Sequence, residues 1–388
     1  MDEFLKYADT AERMLFRRAS AGRIPVNGSI EVSPLCNMDC DMCFVRLSPS
    51  EMQSKGHLRT AEEWLSIARQ MKDAGVLFLL LTGGEPLLYP DLKELYLGLK
   101  KLGMIITINT NATLLDEEWA QFFAKNKPRR INVTLYGADD TAYSRLCHHP
   151  GGYEKTIQAI DLLKQYDIPF RLSYSLTRTN AEDLIPFMDY AGQMELYYEI
   201  DPYMIPATRE RNRTYQFDSR LEPEEAARYA HEIHRRKCAE HGTFTAYCQN
   251  AIDNIDKAQQ YAAEHPEMKK PQRSGCLAGL CSFSVNWQGE LRPCVILTKP
   301  AVNLFENTSF TEAWQTIMDG MDTLLMNEDC TVCPRRSICD NCPASALYET
   351  GEYSGKPDYL CRYTAELERL MRLEIQQSES DSLKQSSQ

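Results

Sequence analysis

Long apolar runs are missing from this chain of 388 residues. No stretch reaches the roughly 18 apolar residues that a membrane-crossing helix needs, so no span is expected. Met1–Ala19 carries Asp2, Glu3, Asp9 and Glu12 and lacks the basic and apolar regions of a secretory signal, so a cytoplasmic location is expected. An excess of positive charge is missing too. Forty-three Lys and Arg stand against 55 Asp and Glu, a net charge of −12. An acidic chain is a poor general binder of phosphate backbones, so nucleic acid is not expected as a partner. The strongest local basic run, Arg209–Arg213, reads as a solvated loop.

Cysteine, by contrast, is plentiful, with 14 residues. In a reducing compartment such a count is read as metal binding or catalysis rather than disulfides. Three thiols, Cys36, Cys40 and Cys43, sit at i, i+4 and i+7, just after the strand-like run Ile30–Pro34. A loop with that spacing can aim three sulfurs at one small object. Iron–sulfur clusters are normally held by four thiolates, so a four-iron cubane held by three would keep one iron open for an outside ligand. A structural zinc site with its fourth ligand elsewhere is the alternative.

A hydrophobic content of 43% is that of a globular chain, and the length predicts two domains. Met1–Ala21 reads as a helix, with Phe4, Leu5, Ala8, Ala11, Met14 and Leu15 on one side. The residues before the first strand are too few for a further recognition domain. Strand-like runs then recur at Val76–Thr82, Ile105–Thr110, Ile131–Leu135, Phe170–Leu176 and Leu196–Ile200. Helical patterns alternate with them at Thr60–Ala74, Pro90–Leu102, Asp116–Lys125, Gly152–Tyr166 and Asn180–Gly192. Thr60 and Glu63 form the ends of a capping box, and Gly75 and Gly103 stand where helices end. Regular alternation of this kind predicts an α/β fold, a parallel sheet of six strands curled into a partial (β/α)6 TIM-like barrel. Active sites of such barrels gather at the C-terminal ends of the strands, where the three-Cys loop falls. Beyond Pro202 the pattern changes: Pro206–Phe217 reads as loop, Glu222–His241 and Ala251–Ala263 as helices, and the Ser- and Gln-rich 376–388 as disordered.

Eight more thiols lie in a second array: Cys276, Cys281, Cys294, Cys330, Cys333, Cys339, Cys342 and Cys361. Eight is two sets of four. The spacings alone suit zinc ribbons and iron–sulfur clusters equally, since thiolates serve both.

Cys36-x3-Cys40-x2-Cys43 after a first strand resembles the signature of the radical S-adenosylmethionine (radical SAM) superfamily. One residue departs from the usual pattern, because Met42 stands where an aromatic ring is common. The resemblance implies a catalytic 4Fe-4S cluster on the three Cys. It also implies S-adenosyl-L-methionine on the open iron and a 5′-deoxyadenosyl radical that abstracts hydrogen. Gly83-Gly84-Glu85 after the second strand is similar to the segment that holds the methionyl amine. Asn111 lies in Thr110-Asn111-Ala112, which resembles a Thr-Asn-Gly turn. Thr134 lies in Thr134-Leu135-Tyr136-Gly137, which resembles a Ser-Leu-Asp-Gly segment whose hydroxyl contacts the ribose, with Tyr136 in place of the acid. Arg145 is the candidate partner of the methionyl carboxylate. Cys147 reads as a small buried hydrophobe, with a thiol near the barrel mouth as the other reading. His148 and His149 read as exposed loop residues or general bases.

The second array resembles the SPASM extension of these enzymes, though the last central gap is two residues rather than three. That resemblance implies two auxiliary 4Fe-4S clusters, one on Cys276, Cys281, Cys294 and Cys342, the other on Cys330, Cys333, Cys339 and Cys361. Fully ligated, they would relay electrons. The domains expected are an N-terminal helix (1–29), the core barrel (30–216), a helical linker (217–275), a small Cys-rich Fe–S (SPASM) domain (276–361) and a C-terminal helix with a disordered tail (362–388). The function implied is modification of a ribosomally made peptide by cross-linking, epimerisation or oxidation. The partners implied are a peptide or protein substrate, an electron donor such as flavodoxin or ferredoxin, and a separate leader-binding protein. Radical oxidation of a protein side chain or a small alcohol or carbohydrate, and a non-enzymatic zinc or Fe–S scaffold, are the alternatives.

Overall fold

The structure is a computed structural model that describes residues 10–207, 209–211, 219–239, 242–306 and 308–386. It divides into two compact units. The first comprises Met1–Asp201, Ala207–Ser219 and Gly275–Thr323; the second comprises Pro202–Pro206, Arg220–Ser274 and Leu324–Gln388.

The first unit is built on six parallel strands in chain order: β1 (Asn27–Ser33), β2 (Phe78–Gly83), β3 (Ile105–Thr110), β4 (Arg130–Thr134), β5 (Phe170–Ser175) and β6 (Tyr198–Asp201). This is the expected partial barrel. Helices cover its outer face because each presents one apolar stripe. Helix Ala61–Asp73 begins at the expected box, with Thr60 and Glu63 capping each other's backbone, and buries Trp64, Ile67, Ala68 and Met71. Gly75 and Gly103 follow helices with φ of +103° and +86°, the left-handed region that glycine enters without a side-chain penalty.

Strands β1, β3, β4 and β5 alternate between an apolar and a polar face, whereas β2 is apolar on both. Ile30, Val32, Ile106, Ile108, Ile131, Val133, Leu172 and Tyr174 are buried on the helix side. Ser29, Glu31, Asn109, Asn132 and Arg171 occupy the opposite face, and the last three bond to one another across neighbouring strands. Asn132 donates to Asn109 at 2.7 Å and accepts from Arg171 at 2.8 Å.

Several boundaries differ from expectation; the helix read as Ala251–Ala263, for example, runs from Phe244 to Glu264. β1 starts at Asn27, three residues early, because its inward polar positions mask the strand signal. The Cys-rich stretch was expected to separate at 276. Its first part instead extends the main sheet, where Ser282–Val285 pairs in parallel with β1 and is followed by Glu290–Arg292 and Val302–Asn303. Ser29 and Ser284 share a hydrogen bond of 2.9 Å across that junction. The expected N-terminal helix is described from Thr10 to Gly22; residues 1–9 lie outside the described residues.

In the second unit, helices Pro223–Ala239, Phe244–Glu264 and Asp358–Ser386 pack together. A two-stranded ribbon joins Gln272–Arg273 to Leu325–Met326. The tail expected to be disordered from 376 continues the last helix to Ser386. Its composition is polar but contains neither Gly nor Pro beyond 358, so nothing terminates the helix.

Candidate active site

The three-Cys loop leaves the C-terminal end of β1, where the β1–β2 register slips between Glu31 and Ser33. The loop is tied down by its own backbone and by that of the chain after β4. Asp39 N–H donates to the Cys147 carbonyl and Asp41 N–H to the Leu146 carbonyl, both at 3.0 Å. Leu47 N–H reaches back to Pro34 at 2.9 Å. Two thiols already receive backbone donors: Met38 N–H on Cys36 at 3.4 Å, and Arg46 N–H on Cys43 at 3.3 Å. Such bonds favour the charged, ligating form of sulfur. Burial works the other way and pushes the Cys36 and Cys43 thiols up. Cys40 is raised first by a hydrogen bond with the Cys147 thiol and then by burial. A bound cation would reverse that preference, because a coordinating thiol is deprotonated outright.

Arg209 and Arg211, expected in a solvated loop, are instead buried beneath this site. Arg211 pairs with Asp39 at 2.8 Å and donates to the Cys40 carbonyl at 3.1 Å. Arg209 holds Glu31 with both terminal nitrogens. The carboxylates that recruit these arginines are distant in sequence, so composition alone reads the run as exposed. Arg213 lies outside the described residues.

Gly83 and Gly84 let β2 come against the start of the loop. A Cβ at Gly83 would sit 2.3 Å from the Ser33 carbonyl oxygen, and one at Gly84 would sit 2.2 Å from that of Leu35. The close approach lets Gly84 N–H donate to Ser33 and Glu85 N–H to Leu35, both at 2.8 Å. Glu85 is fully buried. Its carboxylate accepts from Leu87 N–H at 2.9 Å, Thr110 Oγ1 at 2.7 Å and Asn111 N–H at 2.8 Å. Burial raises its pKa, and those three bonds oppose the rise. One acceptor site of the carboxylate is left over.

Asn111 places its side-chain amide 3.0 Å from Asn37 Oδ1 and 3.7 Å from Cys36 Sγ. Ala112 has φ of +59°, so the turn adopts the conformation for which glycine is suited at some cost to alanine. Thr134 ends β4, half-buried. Arg145 is exposed on helix Asp140–Leu146, with Asp183 as an electrostatic neighbour; among the described residues no hydrogen bond or ion pair joins it to the Cys loop.

Sequence reasoning missed three features. The Tyr136 phenol and the Cys147 thiol both reach Cys40, while the burial of Cys147 itself is as expected. His148 Nε2 lies 2.8 Å from Asp41. His149 bonds to the Asn37 backbone, its pKa is lowered by burial, and its Nε2 has no partner. The signal available for Cys147 and the two histidines was their place at the end of helix Asp140–Leu146, which follows β4.

In the second array, Cys330, Cys333, Cys339 and Cys361 line one cavity of about 380 Å³ in the second unit. Asn341 Nδ2 donates to Cys330 Sγ at 3.4 Å, and Lys269, Arg335, Arg336 and Lys356 border the same cavity. Cys276, Cys281 and Cys294 belong to the first unit and Cys342 to the second. Among the described residues, no three His, Cys, Asp or Glu side chains converge as around a single metal ion.

The sequence matches the radical SAM superfamily over residues 30–191. Residues 30–191 thus carry a radical SAM domain. The radical SAM match includes the three-Cys loop, Gly83-Gly84-Glu85, Asn111, Thr134 and Arg145, and it ends before the second cysteine array. An AdoMet-dependent heme synthase of Methanosarcina barkeri is 25% identical over 342 residues, 86% of this chain and 95% of the relative. A PqqA peptide cyclase of Rhizobium meliloti is 25% identical over 361 residues, 88% of this chain and 89% of the relative. The radical SAM fold is shared with Streptococcus suis SuiB, whose structure was solved bound to precursor peptide SuiA. The TM-score is 0.64 at 19% identity, covering 92% of this chain and 82% of that one.

Proposed function

We propose that Cys36, Cys40 and Cys43 hold a 4Fe-4S cluster with one open iron, beside which S-adenosyl-L-methionine docks, and that the enzyme abstracts hydrogen from a ribosomally made peptide. When bound, the cluster and its ligand supply a 5′-deoxyadenosyl radical. The observation that carries this reading is the loop itself, with three thiols on one turn, two of them already taking backbone N–H donors. Asn111 would steady Cys36 through its amide. The spare acceptor of Glu85 suits an ammonium group, and Gly83 and Gly84 let backbone approach without a side chain in the way. The hydroxyl of Thr134 and the guanidinium of Arg145 are the remaining candidates for binding that ligand.

In the second unit, the four thiols around one cavity suit an auxiliary 4Fe-4S cluster that Cys330, Cys333, Cys339 and Cys361 would hold. Cys276, Cys281, Cys294 and Cys342 are the candidate ligands of another. The hydrogen bond from Asn341 to Cys330 would tune the potential of the cluster on Cys330, Cys333, Cys339 and Cys361. A flavodoxin or ferredoxin would deliver the electrons, and the cytoplasm is the compartment that suits the reduced thiols. A separate leader-binding protein is part of the same proposal.

The peptide assignment is supported by the peptide named for the R. meliloti relative. A tetrapyrrole is the second reading, favoured by the heme synthase that matches 86% of this chain. The test begins with anaerobic purification. About twelve iron and twelve sulfide per chain are expected for three clusters; zinc without sulfide would reject the reading. Reduced protein should release 5′-deoxyadenosine, and Cys43→Ala should abolish that release while leaving the remote iron in place. Mass change in a peptide encoded by a neighbouring reading frame, against change in a porphyrin, separates the two substrates.

A further inference from the structure

We propose that the N-terminal end of the barrel interior is a docking site for one carboxylate of the substrate, received by Arg130. The proposal rests on the reading that substrate enters the barrel. A cavity of about 270 Å³ opens among the first residues of the strands, bordered by Asn27, Ser29, Thr107, Arg130, Asn132 and Arg171, with Arg129 at its edge. Among the described residues, three arginines line it and no acid does.

Two of the three are already answered. Arg129 pairs with Glu12 at 2.7 Å, and Arg171 pairs with Glu199. Arg130 differs: its guanidinium makes one hydrogen bond among the described residues, from Nε to Asn132 Oδ1 at 2.9 Å. Its two terminal nitrogens remain for a ligand. The same Asn132 oxygen accepts from Arg171 at 2.8 Å, and the Asn132 amide is fixed on Asn109 at 2.7 Å. Asn132 therefore orients Arg130 before anything binds, and the guanidinium edge matches a carboxylate through two parallel bonds. Burial and the neighbouring Arg171 and Arg129 lower the Arg130 pKa, so an anion there would relieve a real electrostatic cost. One uncompensated positive charge fits a carboxylate rather than a doubly charged phosphate.

Anaerobic holoprotein is titrated calorimetrically with N-acetylglutamate amide, N-acetylglutamine amide and inorganic phosphate. The glutamate probe should bind at least about tenfold more tightly than the glutamine probe, and Arg130→Gln should erase that difference. Arg130→Lys, which keeps the charge but loses the fork, should fall between. Arg69→Gln, an exposed charge on the barrel's outside, should change nothing. Equal binding of the two amides, tighter binding of phosphate, or unchanged affinity in Arg130→Gln overturns the proposal. So does loss of iron and sulfide in Arg130→Gln, because Cys294 borders the same cavity and the arginine would then serve a cluster. Release of 5′-deoxyadenosine, measured separately, tells failure of the radical reading from failure of the carboxylate site.

Discussion

Arg209 places its two terminal nitrogens 2.6 and 2.8 Å from the two carboxylate oxygens of Glu31, with both side chains almost wholly out of solvent. The same guanidinium donates to the Val295 carbonyl at 2.6 Å. A buried pair of this kind contributes little relative to an apolar pair of equal size, yet removing one partner strands the other charge. Arg209→Ala should therefore cost about 3–5 kcal/mol, and the double change Arg209→Met with Glu31→Leu should recover most of it. Urea denaturation of the anaerobic holoprotein, followed by intrinsic fluorescence, measures both. A double variant no more stable than the single one would contradict the account.

Gly84 faces a stricter constraint. With a backbone carbonyl only 2.2 Å from any Cβ, Gly84→Ala must move β2 away from the Cys loop. A loss of about 3 kcal/mol or more is expected, with a fall in iron bound at Cys36, Cys40 and Cys43. Gly192→Ala is the control: it lies in a helix with open space around it and should stabilise by about 0.5–1 kcal/mol. Differential scanning calorimetry of the two variants side by side decides the matter, and equal effects would remove the steric argument.

Cys147 is the fourth sulfur near the catalytic loop, hydrogen-bonded to Cys40. Hydrogen bonds to ligand sulfurs help set a cluster's potential. Ligation would take the proton from Cys40 and leave the Cys147 S–H as the donor of the pair; a donor to a ligand sulfur raises the potential, so Cys147→Ala should shift the midpoint downward in an EPR-monitored redox titration while iron content stays constant. Loss of one iron-binding equivalent would instead make Cys147 a ligand and close the open corner.

His231 supplies a pH dependence. It is half-buried on helix Pro223–Ala239 against Phe244, its Nε2 has no partner, and burial lowers its pKa. A base whose folded pKa is depressed binds protons less readily than when unfolded. Stability is then retained above the ordinary histidine value of about 6.5 and declines as pH falls toward the lowered one. His231→Phe should flatten that decline in thermal melts between about pH 7 and pH 5. An unchanged slope would show that the ring is solvated.

The six barrel strands were readable because each has apolar residues on at least one face and recurs in alternation with a helical pattern, and the Thr60–Glu63 cap was readable because both partners lie within four positions. What escaped was long-range. Nothing near Arg209 announces Glu31, 178 positions away, and the run was read as solvent-exposed on charge alone. The partnership of Cys147 with Cys40 is hidden for the same reason. Alternating Ser, Asn and Arg along strands resembles a water-facing edge, yet here that face turns inward. At the active site the cysteine spacing and the Gly83-Gly84-Glu85 turn were legible, because both encode local backbone demands. The threefold engagement of the Glu85 carboxylate was not.

The pairing of Ser282–Val285 with β1 carries a consequence for biosynthesis. The first barrel strand to leave the ribosome has one flank that is filled only by residues made about 250 positions later. Until then that flank is a raw edge of unsatisfied amides, ready to recruit any other extended segment. A fragment cut at residue 275 would keep that edge permanently, and so should precipitate or self-associate even though all six barrel strands and the three-Cys loop are present.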